Sequence, residues 1–213
     1  MKINRVIWDF NGTILDDVDT GIEAVDILLA RYGLPQLKTR DKYYEVFGFP
    51  IIDYYKRIGF DFEKTDYSVL ANEWVEIYLE KVKNAPLRDG IYDTVCQIKS
   101  MGIKQTVFSM TEISMLNHQL KLLNIYDLFD EICGLNDIYA SSKLALAKSW
   151  KDLHQDEEAI YIGDTSHDVE SAKIMGARCF LLSGGHEKLS VLEKTEIDIL
   201  FSPNDIIPII KQS

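Results

Sequence analysis

Strand-like and helix-like segments alternate through residues 86–213, and this alternation limits the possible folds more than any other feature of the sequence. The strand-like segments are short apolar runs, and the segments between them carry apolar residues at helical spacing. With the first apolar run included, the predicted strands cover 6–8, 104–109, 131–133, 159–162, 178–182 and 197–201. Parallel strands require a crossover connection, which is usually a helix. The alternation therefore predicts an α/β fold of three layers, with a parallel sheet between two layers of helices.

The first predicted strand is separated from the others by a stretch without strand signals. Helical spacing and stop signals such as Gly33 and Gly59 predict four helices there, at 17–32, 40–47, 51–58 and 66–83. Four consecutive helices are enough to form a small bundle of their own. We therefore expect a helical domain at 16–85, inserted into an α/β domain that consists of 1–15 and 86–213.

The charge and the cysteine content exclude several classes of protein. The 213 residues include 34 acidic and 23 basic ones, which gives a formal net charge of −11. Nucleic acid is not an expected partner, because its recognition needs a basic face. No apolar run has the length of a membrane span or the form of a secretory signal. The three cysteines are widely spaced and include no CxxC pair, which favours reduced thiols; we expect a cytoplasmic monomer or homodimer.

Polar and charged residues follow several of the predicted strands. Asp9 comes directly after the first strand, Ser109 ends the second, and Asp164 follows the fourth. Asp168 lies one helical turn further on, and Lys143 opens the helix before the fourth strand. Each residue alone is ordinary, since Ser and Asp often cap helices and most lysines are solvated. Because ligands of open α/β sheets bind outside the carboxyl ends of the strands, the set together predicts one site at that edge.

The chemistry that fits these side chains is phosphoryl transfer. Asp9, Asp164 and Asp168 offer the hard oxygen ligands that Mg²⁺ prefers, and the metal would allow an anionic phosphate to approach a carboxylate. Asp9 is then the candidate nucleophile that forms an aspartyl-phosphate, which is a known role of carboxylates. Ser109 can donate to a phosphate oxygen, and Lys143 can neutralise charge in the transition state.

Four short motifs, in this order, resemble those of the haloacid dehalogenase superfamily. They are Asp9-Phe-Asn-Gly-Thr13, Thr106-Val-Phe-Ser109, Lys143 and Gly163-Asp164-Thr-Ser-His-Asp168. The resemblance implies a Rossmann-like core with an inserted α-helical cap, to which 16–85 would correspond. It also implies a Mg²⁺-dependent phosphatase, similar to phosphoglycolate phosphatases, whose partner is a small phosphorylated metabolite rather than nucleic acid or a membrane.

The resemblance implies further roles for residues beside the motif acids. Asn11 is expected to contribute its backbone carbonyl to Mg²⁺ and to belong to the catalytic set. Gly12, Thr13 and Met110 lie within or beside the motifs and are expected to bind the substrate. In the expected cap, Gly48-Phe49-Pro50 is a rigid apolar turn between charged helices, so Gly48 is expected to face the core and to bind the substrate; a simple helix–helix connection is the alternative.

Asn11 also departs from the family pattern. Phosphatases of this superfamily carry an aspartate there, which protonates the leaving oxygen and later activates water. An amide cannot transfer a proton at neutral pH, and such help is typically worth about 10²–10⁴-fold. Three interpretations are open: slow turnover or leaving groups that need little protonation, such as acyl phosphates; a proton from Asp16, Asp17 or His167; or phosphate-ligand binding without turnover. The first is the leading interpretation.

A 2-haloacid dehalogenase is the alternative within the same superfamily, since that branch also lacks an acid at this position. Attack on carbon needs no metal, however, so a dehalogenase has little use for both Asp164 and Asp168. Their presence favours phosphate chemistry, and turnover of 2-haloacids in EDTA would contradict it.

Overall fold

A parallel six-stranded sheet is the centre of the computed structural model, which describes residues 2–135 and 143–212. Its strands are β1 Arg5–Trp8, β2 Lys104–Glu112, β3 Glu131–Leu135, β4 Ala159–Gly163, β5 Arg178–Leu182 and β6 Ile199–Leu200. They lie in the order β3-β2-β1-β4-β5-β6, and each neighbouring pair is parallel. The predicted α/β fold is thus confirmed.

β1 occupies the middle of the sheet because its side chains are apolar on both faces. Val6, Ile7 and Trp8 are fully buried, as is typical of a parallel strand that is covered on both sides. β1 pairs with β2 on one side and β4 on the other, so that Trp8 lies opposite Val107 and Ile162. The residue that follows β1 therefore leaves the sheet at the middle of its carboxyl edge.

Helices are distributed over two compact units of the chain. The unit Asp16–Pro86 contains α1 Val18–Arg31, α2 Arg40–Val46, α3 Ile51–Arg57 and α4 Tyr67–Lys81. The unit that holds the sheet contains α5 Ile91–Ser100, α6 Ile113–Leu122, α7 Lys143–Leu153, α8 Ser166–Met175, α9 Leu189–Leu192 and α10 Ile206–Lys211. Among the described helices, none combines the length and the apolar character that crossing a membrane requires.

The helical unit is stabilised by an apolar face of α1 and by a cluster of aromatic rings. α1 buries Ile22, Val25 and Leu29 at helical spacing. In the aromatic cluster, the rings of Tyr43, Phe47 and Tyr54 contact one another in a triangle, with centroid distances of 4.8 to 6.0 Å. Aromatic pairs at such distances stabilise a core beyond the area they bury, so these rings form the core around α2 and α3.

β2 extends to Glu112 rather than ending at Ser109, because a bulge interrupts its pairing with β3. Phe108 pairs with Cys133, whereas Glu112 pairs with Leu135, so β2 contains extra residues over this stretch. Gly134 allows the bulge to pack closely, since a Cβ there would lie 2.7 Å from the Thr111 carbonyl oxygen. The prediction that β2 ends at Ser109 is therefore wrong: Ser109 begins the bulge.

The other differences from the predicted elements lie at element ends. α8 begins at Ser166 rather than 168, because Thr165 takes the capping position and Asp168 lies inside the first turn. The predicted strand at 197–201 is reduced to β6, and a 3₁₀ turn, Pro203–Asp205, precedes the last helix. α9 was not anticipated, and its four residues are too few to give a periodic signal.

Candidate active site

Asp9 lies at the centre of the candidate site because β1 ends just before it. Its backbone N–H donates to the Ile162 carbonyl oxygen at 2.8 Å, which continues the pairing with β4 by one residue. Its side chain is buried and forms an ion pair with the ammonium of Lys143, the first residue of α7. Lys143 is also buried and contacts Asp168 at 2.5 Å. The ammonium therefore bridges two carboxylates.

Asp164 follows β4 and is contacted by two loops. Thr13 Oγ1 donates to its Oδ1 at 3.0 Å, and the backbone N–H of His186 donates to its Oδ2 at 2.6 Å. A Cβ at Gly12 or Gly185 would overlap the Asp164 carboxylate, so only glycine permits these loops to approach so closely. The turn after β1 and the loop after β5 therefore meet at this carboxylate.

Asp168 is fully buried and orients its neighbours through hydrogen bonds. Its Oδ2 accepts from the backbone N–H of Asp164 and from the N–H and hydroxyl of Thr165, at 2.7–3.1 Å. Its Oδ1 accepts from Lys143 and from the Tyr161 hydroxyl, the latter at 3.1 Å. Burial would raise the pKa of this carboxyl, but the Lys143 charge and the hydrogen bonds outweigh burial and lower it. Asp168 is thus an anion that holds both Lys143 and the start of α8.

The three carboxylates form a group that fits a divalent cation. One oxygen each of Asp9, Asp164 and Asp168 lies within 4.8 Å of the others. Lys143 brings one positive charge against these three negative ones. Burial and the neighbouring carboxylates raise the pKa of Asp9 well above its usual value and that of Asp164 to about 6. Hard oxygen donors with a surplus of negative charge are what Mg²⁺ prefers.

The bulge of β2 brings a chain of hydrogen bonds to Asn11. Ser109 Oγ donates to Thr111 Oγ1 at 3.0 Å, and Thr111 Oγ1 donates to Asn11 Oδ1 at 3.1 Å. The backbone N–H of Thr111 donates back to Ser109 Oγ at 3.0 Å. The bulge therefore fixes the direction in which the Asn11 amide points.

The structure brings most of the predicted site residues together. Those that contact one another at the carboxyl edge are Asp9, Asn11, Gly12, Thr13, Ser109, Lys143, Asp164 and Asp168. Met110 lies in the bulge and is 42% exposed. Gly48 belongs to the helical unit, where Arg57 donates to its carbonyl oxygen at 3.1 Å.

The three alternative proton donors have other surroundings. Asp16 and Asp17 belong to the helical unit, where Asp17 accepts from the Tyr78 hydroxyl at 2.5 Å. His167 lies 3.4 Å from Glu170 in the first turns of α8.

Reasoning from the sequence misses four residues that shape the site. Arg88 ties two loops together, since its guanidinium donates to the carbonyl oxygens of Gly12 at 2.6 Å and Ser183 at 2.5 Å. The other missed residues are Thr111, Tyr161 and Gly185. Two adjacent glycines after β5 are the one signal in the sequence that could have indicated a close approach of backbone there.

The parallel sheet and its buried carboxylate–lysine centre define an α/β enzyme core that carries a helical insertion. The model of the haloacid dehalogenase-like hydrolase family matches residues 6–182, and the chain belongs to this family of hydrolases. The resemblance that the four motifs indicated is thus confirmed.

Named relatives cover most or nearly all of the chain. Pyrophosphatase PpaX of Halalkalibacterium halodurans is 26% identical over 181 residues, which cover 84% of this chain and 82% of that protein. A haloacid dehalogenase-like hydrolase from Streptococcus pneumoniae has a TM-score of 0.83 at 21% identity, over 97% of both chains. A predicted phosphoglycolate phosphatase from Haemophilus somnus has a TM-score of 0.72 at 16% identity, over 98% of both chains. The two solved structures establish the likeness of fold.

Proposed function

We propose that the protein is a Mg²⁺-dependent phosphatase of small phosphorylated metabolites, with Asp9 as the nucleophile and Asp16–Pro86 as the cap. The single observation that supports this best is the Lys143 ammonium held between Asp9 and Asp168 beside a third buried carboxylate. Such a cluster gives a nucleophile, a positive charge for the phosphate and oxygen donors for a cation in one place. The names of the relatives, a pyrophosphatase and a phosphoglycolate phosphatase, leave both phosphoanhydrides and phosphate esters as substrates.

In this mechanism each residue has a separate task. One oxygen of Asp9 attacks phosphorus and forms an aspartyl-phosphate, and water then releases phosphate from it. Lys143, held by Asp168, opposes the burial that raises the pKa of Asp9. It also stabilises charge on the phosphate oxygens, to which Ser109 would donate once its hydroxyl turns from Thr111. Asp9, Asp164 and the Asn11 carbonyl, with Asp168 beside them, would hold Mg²⁺. When bound, the metal supplies the positive charge that lets a phosphate dianion approach the carboxylates.

A comparison of Asp9→Asn with the wild type tests this proposal. We expect Asp9→Asn to lose phosphate release from every compound in a panel of phosphorylated metabolites, and EDTA to abolish release by the wild type. Asp156→Asn, which changes an exposed aspartate outside the site, is the matched control and should keep full activity. An unchanged rate in Asp9→Asn would contradict the proposed nucleophile.

Binding of a phosphometabolite without turnover is the second candidate, and Asn11 is the observation that favours it. In that case a phosphate compound with a radioactive phosphoryl group should label the chain to one phosphate per molecule and then stop, with no steady turnover. Steady turnover of any natural phosphate compound would exclude it.

A further inference from the structure

The charged side chains around Asp9 form ion pairs and hydrogen bonds with neighbouring groups of the site. Lys143 is shared between Asp9 and Asp168, and Asp168 accepts hydrogen bonds on both of its oxygens. Asp164 also accepts on both oxygens, from Thr13 and from the His186 backbone. Within the described residues of the α/β unit, these contacts leave no carboxylic acid or ammonium positioned to give a proton to a leaving group at Asp9.

The polar groups on the β2 side of Asp9 cannot give a proton either. The hydroxyl of Thr111 donates to Asn11 Oδ1, and the hydroxyl of Ser109 donates to Thr111. The Asn11 side-chain oxygen accepts from Thr111, so this position carries an oriented amide in place of a carboxyl. An amide N–H stabilises a developing anion through a hydrogen bond, but it does not transfer its proton at neutral pH.

The imidazole of His186 is a further titratable side chain beside the turn that follows β1. A Cβ at Gly12 would lie 2.7 Å from Cδ2 of this ring. The ring therefore lies next to the turn after β1, on the side where that turn meets Asp164. A variant of His186 therefore tests whether this ring gives a proton to the leaving group.

We propose that, given the phosphatase activity proposed above, the substrates are phosphoanhydrides rather than alkyl phosphate esters. In the first step a bond forms between an Asp9 oxygen and phosphorus, and the bond from phosphorus to the leaving oxygen breaks. The electron pair departs with that oxygen as a carboxylate or a phosphate, which is a stable anion at neutral pH and needs no proton. An alkoxide would need one, and among the described residues of the α/β unit no carboxylic acid or ammonium is positioned to supply it.

The second step is consistent with the same substrate class. Water forms a bond to phosphorus, the bond to Asp9 breaks with its electron pair on the carboxylate, and a water proton passes to a phosphate oxygen. This step also proceeds without a protein base, so it is slow. We therefore expect the phosphoenzyme to accumulate whenever its formation is fast, which is the case for anhydrides.

Rapid-quench measurement of phosphoenzyme formation with Mg²⁺ tests the proposal. The probes are acetyl phosphate, inorganic pyrophosphate, glycerol phosphate and a series of aryl phosphates from dinitrophenyl to unsubstituted phenyl. In the wild type, the rate should fall steeply as the leaving group becomes more basic, with acetyl phosphate or pyrophosphate fast and glycerol phosphate slow. The faster of the two anhydrides shows whether the natural leaving group is a carboxylate or a phosphate.

Asn11→Asp restores an acid and should flatten this dependence, with a gain of about 10²–10⁴-fold on glycerol phosphate and little gain on acetyl phosphate. A shallow dependence in the wild type would overturn the proposal, and if His186→Asn then made it steep, His186 would be the proton donor. Absence of label from every probe would overturn the proposed phosphatase function instead. Label from the anhydrides and the ester at equal rates would leave that function intact and overturn only the substrate class.

Discussion

The two ends of the parallel sheet bury charged side chains in different ways. At the amino end, Arg5 in β1 contacts Glu131 at 3.2 Å and Glu157 at 2.9 Å, and Lys104 lies 3.5 Å from Glu157. Two positive charges thus face two negative ones. At the carboxyl end, three carboxylates face the single ammonium of Lys143.

This difference separates stability from function along the same strands. A buried charge is tolerated when it is paired with an opposite charge, and the amino end pairs its charges without a ligand. There, burial of Glu157 is outweighed by Arg5, which lowers the pKa of that carboxyl. At the carboxyl end, burial and repulsion raise the pKa of Asp9 and Asp164. In the proposed function a bound cation would offset this surplus of negative charge, and β1 would join a structural residue, Arg5, to the proposed nucleophile, Asp9.

Removal of the positive charge at the amino end should cost stability alone. We expect Arg5→Gln to lower the free energy of unfolding by about 1–3 kcal/mol, because it removes the buried positive charge that pairs with the half-buried Glu131 and Glu157. Urea denaturation measures the loss, and Arg5→Lys, which keeps the charge, should lose less. The folded fraction of Arg5→Gln should retain its kcat, and a large fall in kcat would contradict the division between the two ends.

Removal of the positive charge at the carboxyl end should cost activity. We expect Lys143→Gln to lower the rate of phosphoenzyme formation by about 10²–10³-fold, as is typical when one group that stabilises transition-state charge is lost. Lys148→Gln, on the exposed face of the same helix, is the matched control. Equal rates in both variants would remove Lys143 from the mechanism.

The surplus of negative charge should make the metal-free protein sensitive to pH. The pKa of Asp164 rises from 3.8 to about 6 on folding, so the folded state binds this proton more tightly than the unfolded state. The resulting stability is present below about pH 4 and is lost as the pH rises through about 6, at a cost on the order of 2–3 kcal/mol. Melting temperatures in EDTA measure this loss.

Two additions sharpen the pH experiment. Saturating Mg²⁺ should offset the loss at neutral pH, because it binds the ionised carboxylates of the folded state. Asp164→Asn should reduce the loss in EDTA. The assigned pKa would be contradicted by one result in EDTA. In that result the melting temperature rises between pH 4 and 7, and it rises by the same amount in the wild type and in Asp164→Asn.

The smallest expected effect concerns the orientation of Asn11. Thr111→Val removes the hydroxyl that donates to Asn11 Oδ1, and we expect phosphoenzyme formation to slow by about fivefold to tenfold, which corresponds to one hydrogen bond. Thr111→Ser keeps the hydroxyl and should recover most of the rate. If the loss instead appears only in thermal stability, Thr111 has a merely structural role.

The sequence predicts the central strands β1 and β4 and the aspartates that follow them well, because these features have local sequence signals. β1 is an uninterrupted apolar strand with Asp9 at its end, and Asp164 follows a second such strand. The parallel arrangement then follows from the helices between the strands. The contact of Lys143 with Asp9 could be anticipated from that arrangement together with the family motifs.

The remaining features depend on partners that are distant in the chain. The bulge of β2 arises from the register of β3 and from the space that Gly134 leaves, so the position of Thr111 beside Asn11 has no local signal. The same holds for Arg88, whose two acceptors are Gly12 and Ser183. The start of α8 was misplaced because Asp168 looks like a capping residue, whereas its side chain reaches back to Thr165 from the first turn.

Identification of the phosphorylated residue tests the central claim, that the carboxyl end of the sheet is an active site with Asp9 as its nucleophile. The protein is incubated with acetyl phosphate and Mg²⁺, quenched in acid and treated with borohydride, which reduces an aspartyl-phosphate to an alcohol that mass spectrometry detects. We predict that the reduced residue is Asp9 and that omission of Mg²⁺ prevents its formation. Reduction at another aspartate, or phosphate release without any reduced residue, would contradict the claim.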